Sequence, residues 1–169
     1  MRNIELKAWL RDRERALSVC RGLDASFRGD IFQRDTYFPV PVGHLKLRES
    51  DPGDDYLVFY RRPDTAEAKG CDYSIEVVNR SLCAILTEAL GVLAVIEKKR
   101  TLYLWKNVRI HLDEVTGLGS FIEFEAVLSK EHDEADGHAK VAFLQREFGI
   151  ADSDLLETSY LEMMLGKTR

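Results

Sequence analysis

The chain is poor in several features that would place it quickly. No apolar run approaches the ~20 residues of a membrane-spanning helix, and polarity begins at Arg2 and Asn3, unlike a secretory leader. Cysteine is sparse. Cys20, Cys71 and Cys83 are odd in number and lack Cys-x-x-Cys spacing, so they read as reduced thiols of a cytoplasmic protein, not as disulfides or a zinc site. A basic excess is missing too: 24 Lys and Arg against 29 Asp and Glu leave a net charge of -5, which argues against a nucleic-acid partner. There is no Walker glycine loop, Gly-x-Gly-x-x-Gly, Ser-x-x-Lys or Gly-x-Ser-x-Gly. Phosphate binding would therefore rest on side chains, and no serine nucleophile is signalled.

What is present is 169 residues, 45% hydrophobic and 31% charged, without repeats or a long linker. That suffices for one domain with an adequate core. Residues 3–10 alternate, with Asn3, Glu5, Lys7 and Trp9 on one face and Ile4, Leu6, Ala8 and Leu10 on the other, as in a half-buried strand. A helix follows over 12–22, capped by Asp12 and stopped at Gly22.

Strands are predicted at 27–38 (Gln33, Asp35 and Tyr37 at period two), 44–49 (Lys46, Arg48), 56–62 (Leu57, Phe59, Arg61) and 72–78 (Ser74, Glu76), with a polar loop at 64–70. A helix over 80–90 puts Leu82, Ile85, Leu86 and Leu90 on one side. Three strands then run in close order: 92–105 with Lys98 and Arg100, 107–113 with Arg109, His111 and Asp113, and 120–128 with Glu123 and Glu125. The rest reads as a helix over 131–148 and short helical turns over 152–165. Many short strands and few helices indicate an α+β fold on a largely antiparallel sheet.

The polar faces carry the chemistry. Solvated strand faces are usually rich in Thr, Ser and Gln, yet here nearly every strand carries charges at i, i+2, with cations in the middle strands and carboxylates in the first and last. Glu123 and Glu125 lie about 6.5–7 Å apart on one strand face. They repel one another unless a divalent cation or Lys/Arg side chains lie between them. Closing the sheet into a barrel turns these faces inward and leaves the apolar faces for the helices. Such a lumen suits a polyphosphate with Mg²⁺ or Mn²⁺, because arginine forks grip phosphate oxygens and carboxylates hold the hard cation.

Asn3-Ile4-Glu5-Leu6-Lys7 resembles the Glu-x-Glu-x-Lys signature of the CYTH superfamily, which includes class IV adenylyl cyclases and thiamine triphosphatases. The resemblance continues at Asp35-Thr36-Tyr37-Phe38, Leu45-Lys46-Leu47-Arg48-Glu49, Phe59-Tyr60-Arg61-Arg62-Pro63 and Lys98-Lys99-Arg100-Thr101-Leu102-Tyr103. It ends with Val108-Arg109-Ile110-His111-Leu112-Asp113 and the fairly specific Gly117-Leu118-Gly119-Ser120-Phe121-Ile122-Glu123-Phe124-Glu125. It implies an eight-stranded, largely antiparallel β-barrel, a triphosphate tunnel, with helices packed outside. The expected layout is a single unit over 1–169, with the barrel in 1–128 and a helical segment in 129–169.

Carried over position by position, the resemblance makes Glu5, Asp113, Glu123 and Glu125 metal ligands. Lys7, Lys46, Arg48, Arg61, Lys98, Arg100 and Arg109 become phosphate holders, and Glu5, Lys7, Glu123 and Glu125 the catalytic set. Asp35 and Tyr37 read as partners of cations inside the barrel, His111 as a hydrogen-bonding spacer, and Glu76 as a residue ordering a neighbouring arginine. Trp9 either caps the tunnel mouth or stacks a base.

The departure is Asn3, where the family has glutamate. An amide can coordinate a metal through oxygen but supplies neither charge nor a base. The leading expectation is a metal-dependent phosphohydrolase acting on a nucleoside, thiamine or inorganic triphosphate. The alternatives are a cyclase making cyclic AMP and pyrophosphate from ATP, and a non-catalytic module binding phosphorylated organic compounds. The expected partner is a small triphosphate, with no nucleic acid and no membrane, and a homodimer is compatible with the chain.

Overall fold

The computed structural model describes residues 2–61 and 68–166, and the backbone alone for Lys69. The chain runs β1 (Arg2–Trp9), α1 (Arg13–Gly22), β2 (Ser26–Phe38), β3 (His44–Asp51), β4 (Asp55–Arg61), β5 (Lys69–Val78), α2 (Leu82–Leu90), β6 (Ala94–Trp105), β7 (Val108–Val115), β8 (Gly119–Val127) and α3 (Glu134–Glu147). A 3-10 turn at Asp152–Asp154 and the short helix α4 (Tyr160–Met164) finish it. Arg62, Pro63 and most of the expected 64–70 loop lie outside the described residues.

All strand pairings are antiparallel, and the order β1-β5-β4-β3-β2-β6-β7-β8 closes because β1 pairs with both β5 and β8. Closure pairs every strand with a neighbour on each side over part of its length. Gly117 and Gly119, both at positive φ, make the tight β7–β8 connection that a side chain would resist.

The outward faces of β1, β7 and β8 form the main core. Ile4, Leu6, Ala8, Ile110, Leu112, Ile122 and Phe124 are buried with Ala16 and Cys20 of α1 and Val141 and Leu144 of α3. Each large aliphatic or aromatic so buried contributes roughly 1.5–3 kcal/mol. Local chemistry starts both covering helices: Asp12 accepts from the Arg15 amide at 2.9 Å, and Asp133 from the Asp136 amide at 2.9 Å. At Gly137, α3 sits so close that an added Cβ would stand 2.9 Å from Ile4 Cγ1.

Two expectations need correction here. α2 forms, but its apolar side is only partly covered: Leu82 and Leu86 are half-buried, while Ile85 is 61% exposed. On β4 both faces are apolar or aromatic, so alternation carried no polarity contrast, and the inward residues are Tyr56, Val58 and Tyr60. Leu57, Phe59 and Arg61 take the outer face. Among the described residues, no helix is long and apolar enough to cross a membrane.

Candidate functional site

Strand parity delivers the charged residues to the lumen. Glu5 and Lys7 point inward from β1, opposite Glu125 and Glu123 of β8, which in turn pair in register with Arg109 and His111 of β7. Two tiers result across three adjacent strands: Glu5–Glu125–Arg109 and Lys7–Glu123–His111. Across the lumen, β2, β3 and β6 supply Asp35, Tyr37, Lys46, Arg48, Lys98 and Arg100 to the same cavity of about 460 Å³.

Asp35 is the hub of the cationic side. It is 1% exposed and accepts from Lys46 at 2.9 Å, Lys98 at 2.8 Å and both forks of Arg48 at 2.7 and 2.8 Å. Burial alone would raise its carboxyl, but Arg48, Lys46 and Lys98 outweigh that and hold it well below the usual range. Burial likewise lowers the Lys98 ammonium, to about 7. Asp35 opposes this shift, while Arg48, Arg100 and Lys46 add to it. Lys46 also reaches the Tyr37 hydroxyl at 3.3 Å.

Arg100 ties the two sides together. It forks onto Asp113 at 2.7 and 2.6 Å and donates to Glu123 at 2.9 Å. Lys7 meets the other Glu123 oxygen at 3.0 Å, and His111 Nδ1 lies 3.3 Å from Glu123. Burial raises the Glu123 carboxyl, yet Lys7, the His111 hydrogen bond and Arg100 bring it well below the ordinary carboxylate range. Burial similarly opposes ionisation of Asp113, but Arg100 draws it down to about 2.

The sequence-derived site residues divide as follows. Asn3, Glu5, Lys7, Asp35, Tyr37, Lys46, Arg48, Lys98, Arg100, Arg109, His111, Glu123 and Glu125 all line the lumen. Arg61 does not. It is exposed on the outer face of β4, its guanidinium 5.6 Å from the Phe59 ring, because Tyr60 takes the inward position. Glu76 is also outside, since the inward residues of β5 are Cys71, Tyr73 and Ile75. Asp113 sits behind the cavity wall at 0% exposure, held by Arg100 and the Tyr160 hydroxyl. That arrangement makes it a clamp on Arg100, not a ligand open to the lumen.

Tyr160 is a site residue that sequence reading missed, as are the lumen tyrosines Tyr56, Tyr60 and Tyr73. A reciprocal Ser159–Glu162 cap starts α4, and its first residue enters the lumen. There the hydroxyl donates to Asp113 at 2.9 Å, and the ring lies 4.0 Å beneath the Lys7 ammonium. Leu161 and Met163 join one buried cluster with Ile96, Val115 and Phe121. The Ser-x-x-Glu spacing signals the helix start, but no local pattern signals where Tyr160 points.

Among the described residues, one histidine-carboxylate group is tight enough to share a cation: donor atoms of His111, Glu123 and Glu125 lie within 4.8 Å of one another. Asn3 Oδ1 and Gln33 Oε1 are buried lumen acceptors without a hydrogen-bond partner. Unrepaid, each costs about 1–3 kcal/mol.

Fold and lumen together define a closed antiparallel barrel with an ionic interior of opposed cations and carboxylates. The chain belongs to the CYTH domain family, whose model matches residues 1–160. A Methanocaldococcus jannaschii protein with a provisional adenylate cyclase name is 23% identical, over 96% of this chain and 98% of its own length. Among solved structures, a Pyrococcus horikoshii protein superposes with a TM-score of 0.81 at 23% identity, covering 95% of this chain and 98% of that one. A Hippeastrum protein, provisionally named an adenylyl cyclase and described by a dominant triphosphatase activity, gives 0.68 at 16% identity, covering 99% and 97%.

Proposed function

We propose that the chain is a divalent-metal-dependent hydrolase acting on a triphosphate held in the barrel lumen. The observation that carries the reading is the gathering of Lys46, Arg48 and Lys98 on the single carboxylate of Asp35, across the lumen from Glu5, Glu123 and Glu125. Three cations gathered on one buried anion leave cationic charge for a polyanion to neutralise. A phosphate chain laid along Lys46, Arg48, Lys98 and Arg100 exchanges water for several charge-assisted bonds. Phosphoryl transfer needs chiefly this positioning and neutralisation.

The donor set also fits a hard cation. Glu5 and Glu125 are register neighbours on adjacent strands, and Asn3 Oδ1 is a buried acceptor without a partner on the same inward face. Glu5, Glu123 and Glu125, with Asn3, would hold the ion, and a divalent cation bound there supplies Lewis acidity toward phosphate oxygens. The remaining work falls to the chain. Arg100 fixes Glu123, and the Asp113–Tyr160 pair fixes Arg100.

Cyclisation of ATP is the second reading, favoured by the aromatic wall of Tyr56, Tyr60 and Tyr73, which offers a surface for a base. The provisional cyclase name of the M. jannaschii relative agrees with it, and the triphosphatase description of the Hippeastrum protein agrees with hydrolysis.

The test is incubation with ATP, thiamine triphosphate and tripolyphosphate, each with Mg²⁺ or Mn²⁺. Orthophosphate release is the expected result, cyclic AMP with pyrophosphate would establish the second reading, and binding without turnover would overturn both. Glu123→Gln and Glu125→Gln should each lower turnover by about 10²-fold or more with folding intact, as loss of charge stabilisation in such a site does.

A further inference from the structure

His111 was expected to be a spacer, yet its surroundings suit a different task. The ring is buried on β7, and its two nitrogens face two different carboxylates: Nδ1 lies 3.3 Å from Glu123 Oε2 and Nε2 lies 3.8 Å from Glu125 Oε2. The second separation is longer than a hydrogen bond. Donor atoms of all three residues fall within 4.8 Å of one another. An octahedral dication with ligands at about 2.1–2.2 Å holds its donors roughly 3.0–4.4 Å apart, so small side-chain rotations bring this group onto one ion.

An independent observation points to the same lumen. Asn3 is 4% exposed, and its Oδ1 has no hydrogen-bond partner. It stands on the inward face of β1 two residues from Glu5, whose register neighbour is Glu125. An amide oxygen so placed has the chemistry of a neutral cation ligand. Together, the donors are carboxylate oxygens, one amide oxygen and one imidazole nitrogen.

We infer that His111 is a nitrogen ligand of the lumen cation, and that it biases the site toward first-row transition-metal dications such as Mn²⁺ over Mg²⁺. The inference rests on the metal-dependent reading above and specifies its metal. Mg²⁺ takes oxygen ligands in a rigid octahedron and gains little from imidazole, whereas imidazole suits transition metals. The asparagine at position 3 fits the same logic: with a neutral amide in place of a charged ligand, more of the affinity falls to the imidazole.

The experiment uses the full chain with Mn²⁺ alone and no substrate. Pulsed electron paramagnetic resonance reads ¹⁴N coupling from a directly bound imidazole, and competitive titration gives Mn²⁺ and Mg²⁺ affinities for wild type, His111→Gln and His111→Asn. The expected result is a ¹⁴N signature in wild type that is absent from both variants. Mn²⁺ affinity should fall about tenfold or more while Mg²⁺ affinity changes less than about threefold. An oxygen-only Mn²⁺ spectrum in wild type overturns the inference without reference to any variant's folding, as does equal weakening of both metals. Triphosphate turnover alongside an oxygen-only spectrum removes the His111 assignment and leaves the hydrolase reading standing. Absence of metal binding removes both.

Discussion

Asp35→Asn removes the carboxylate on which Lys46, Arg48 and Lys98 converge and leaves an amide of the same shape. The three ion pairs it breaks span 2.7–2.9 Å; the Lys98 pair is buried, and the Lys46 and Arg48 pairs are largely buried. Removing one partner of a buried ion pair costs about 3–5 kcal/mol, because a charge is stranded away from water. Three stranded cations would push the figure higher, but Lys98 has an escape. Its ammonium already sits at about 7, lowered chiefly by burial, so without Asp35 it sheds its proton at neutral pH. The expected loss therefore stays at roughly 3–5 kcal/mol, about 6–20 °C in Tm for a domain of this size. A triphosphate restores the missing anion and binds the folded state only, so it should stabilise the variant more than the wild type. Thermal unfolding with and without tripolyphosphate, in the absence of metal, measures both quantities. A loss under about 1 kcal/mol, or equal ligand stabilisation of the two proteins, refutes the hub role of Asp35.

Acid should act on the same network. The carboxyls of Asp35, Asp113 and Glu123 are all depressed in the fold, Asp113 to about 2. Their contribution is complete above the unfolded carboxylate range near ~4 and is lost as pH falls through the folded values. Urea unfolding midpoints should drop steeply between pH ~4 and ~2, and a flat profile there would contradict the pairings. Ligand binding at pH 8 should take up part of a proton, because a polyphosphate favours the charged form of Lys98, whose ammonium burial lowers to about 7. Calorimetry in buffers of different ionisation enthalpy measures that uptake, and Lys98→Met should abolish it. Gly137→Val drives a Cβ toward Ile4 Cγ1 at 2.9 Å and Leu128 Cδ2 at 3.0 Å and should destabilise by about 1–3 kcal/mol. Triphosphate affinity measured below the new Tm should not change, since α3 packs on the outside of β1.

The alternation of charged and apolar residues was enough to assign faces on the strands whose apolar side is covered by helices. On β1, β7 and β8 one side is Ile, Leu, Val and Phe and the other Glu, Lys, Arg and His, so burial of the first side forces the second inward. The cap at Asp12 and the Gly117–Gly119 turn were equally legible, because each is a local hydrogen bond or a local backbone requirement. Where both faces are apolar or aromatic, as on β4, alternation carries no sign, and only closure against β3 and β5 put Tyr56, Val58 and Tyr60 inside and Arg61 outside. On β5 the faces do differ, yet the strand carries Cys71, Tyr73 and Ile75 into the lumen and turns Glu76 outward, so polarity contrast alone did not decide it.

Long-range pairing settled what remained. Asp35 becomes a three-cation hub because register sets β2 between β3 and β6. Asp113 is withdrawn from the lumen because Arg100 of the neighbouring strand and Tyr160, 47 residues further along the chain, both close on it. Residue type and spacing specify which groups share a face. Which of them meet depends on barrel closure and on the docking of the C-terminal helix, contacts between segments far apart in sequence that no local pattern encodes.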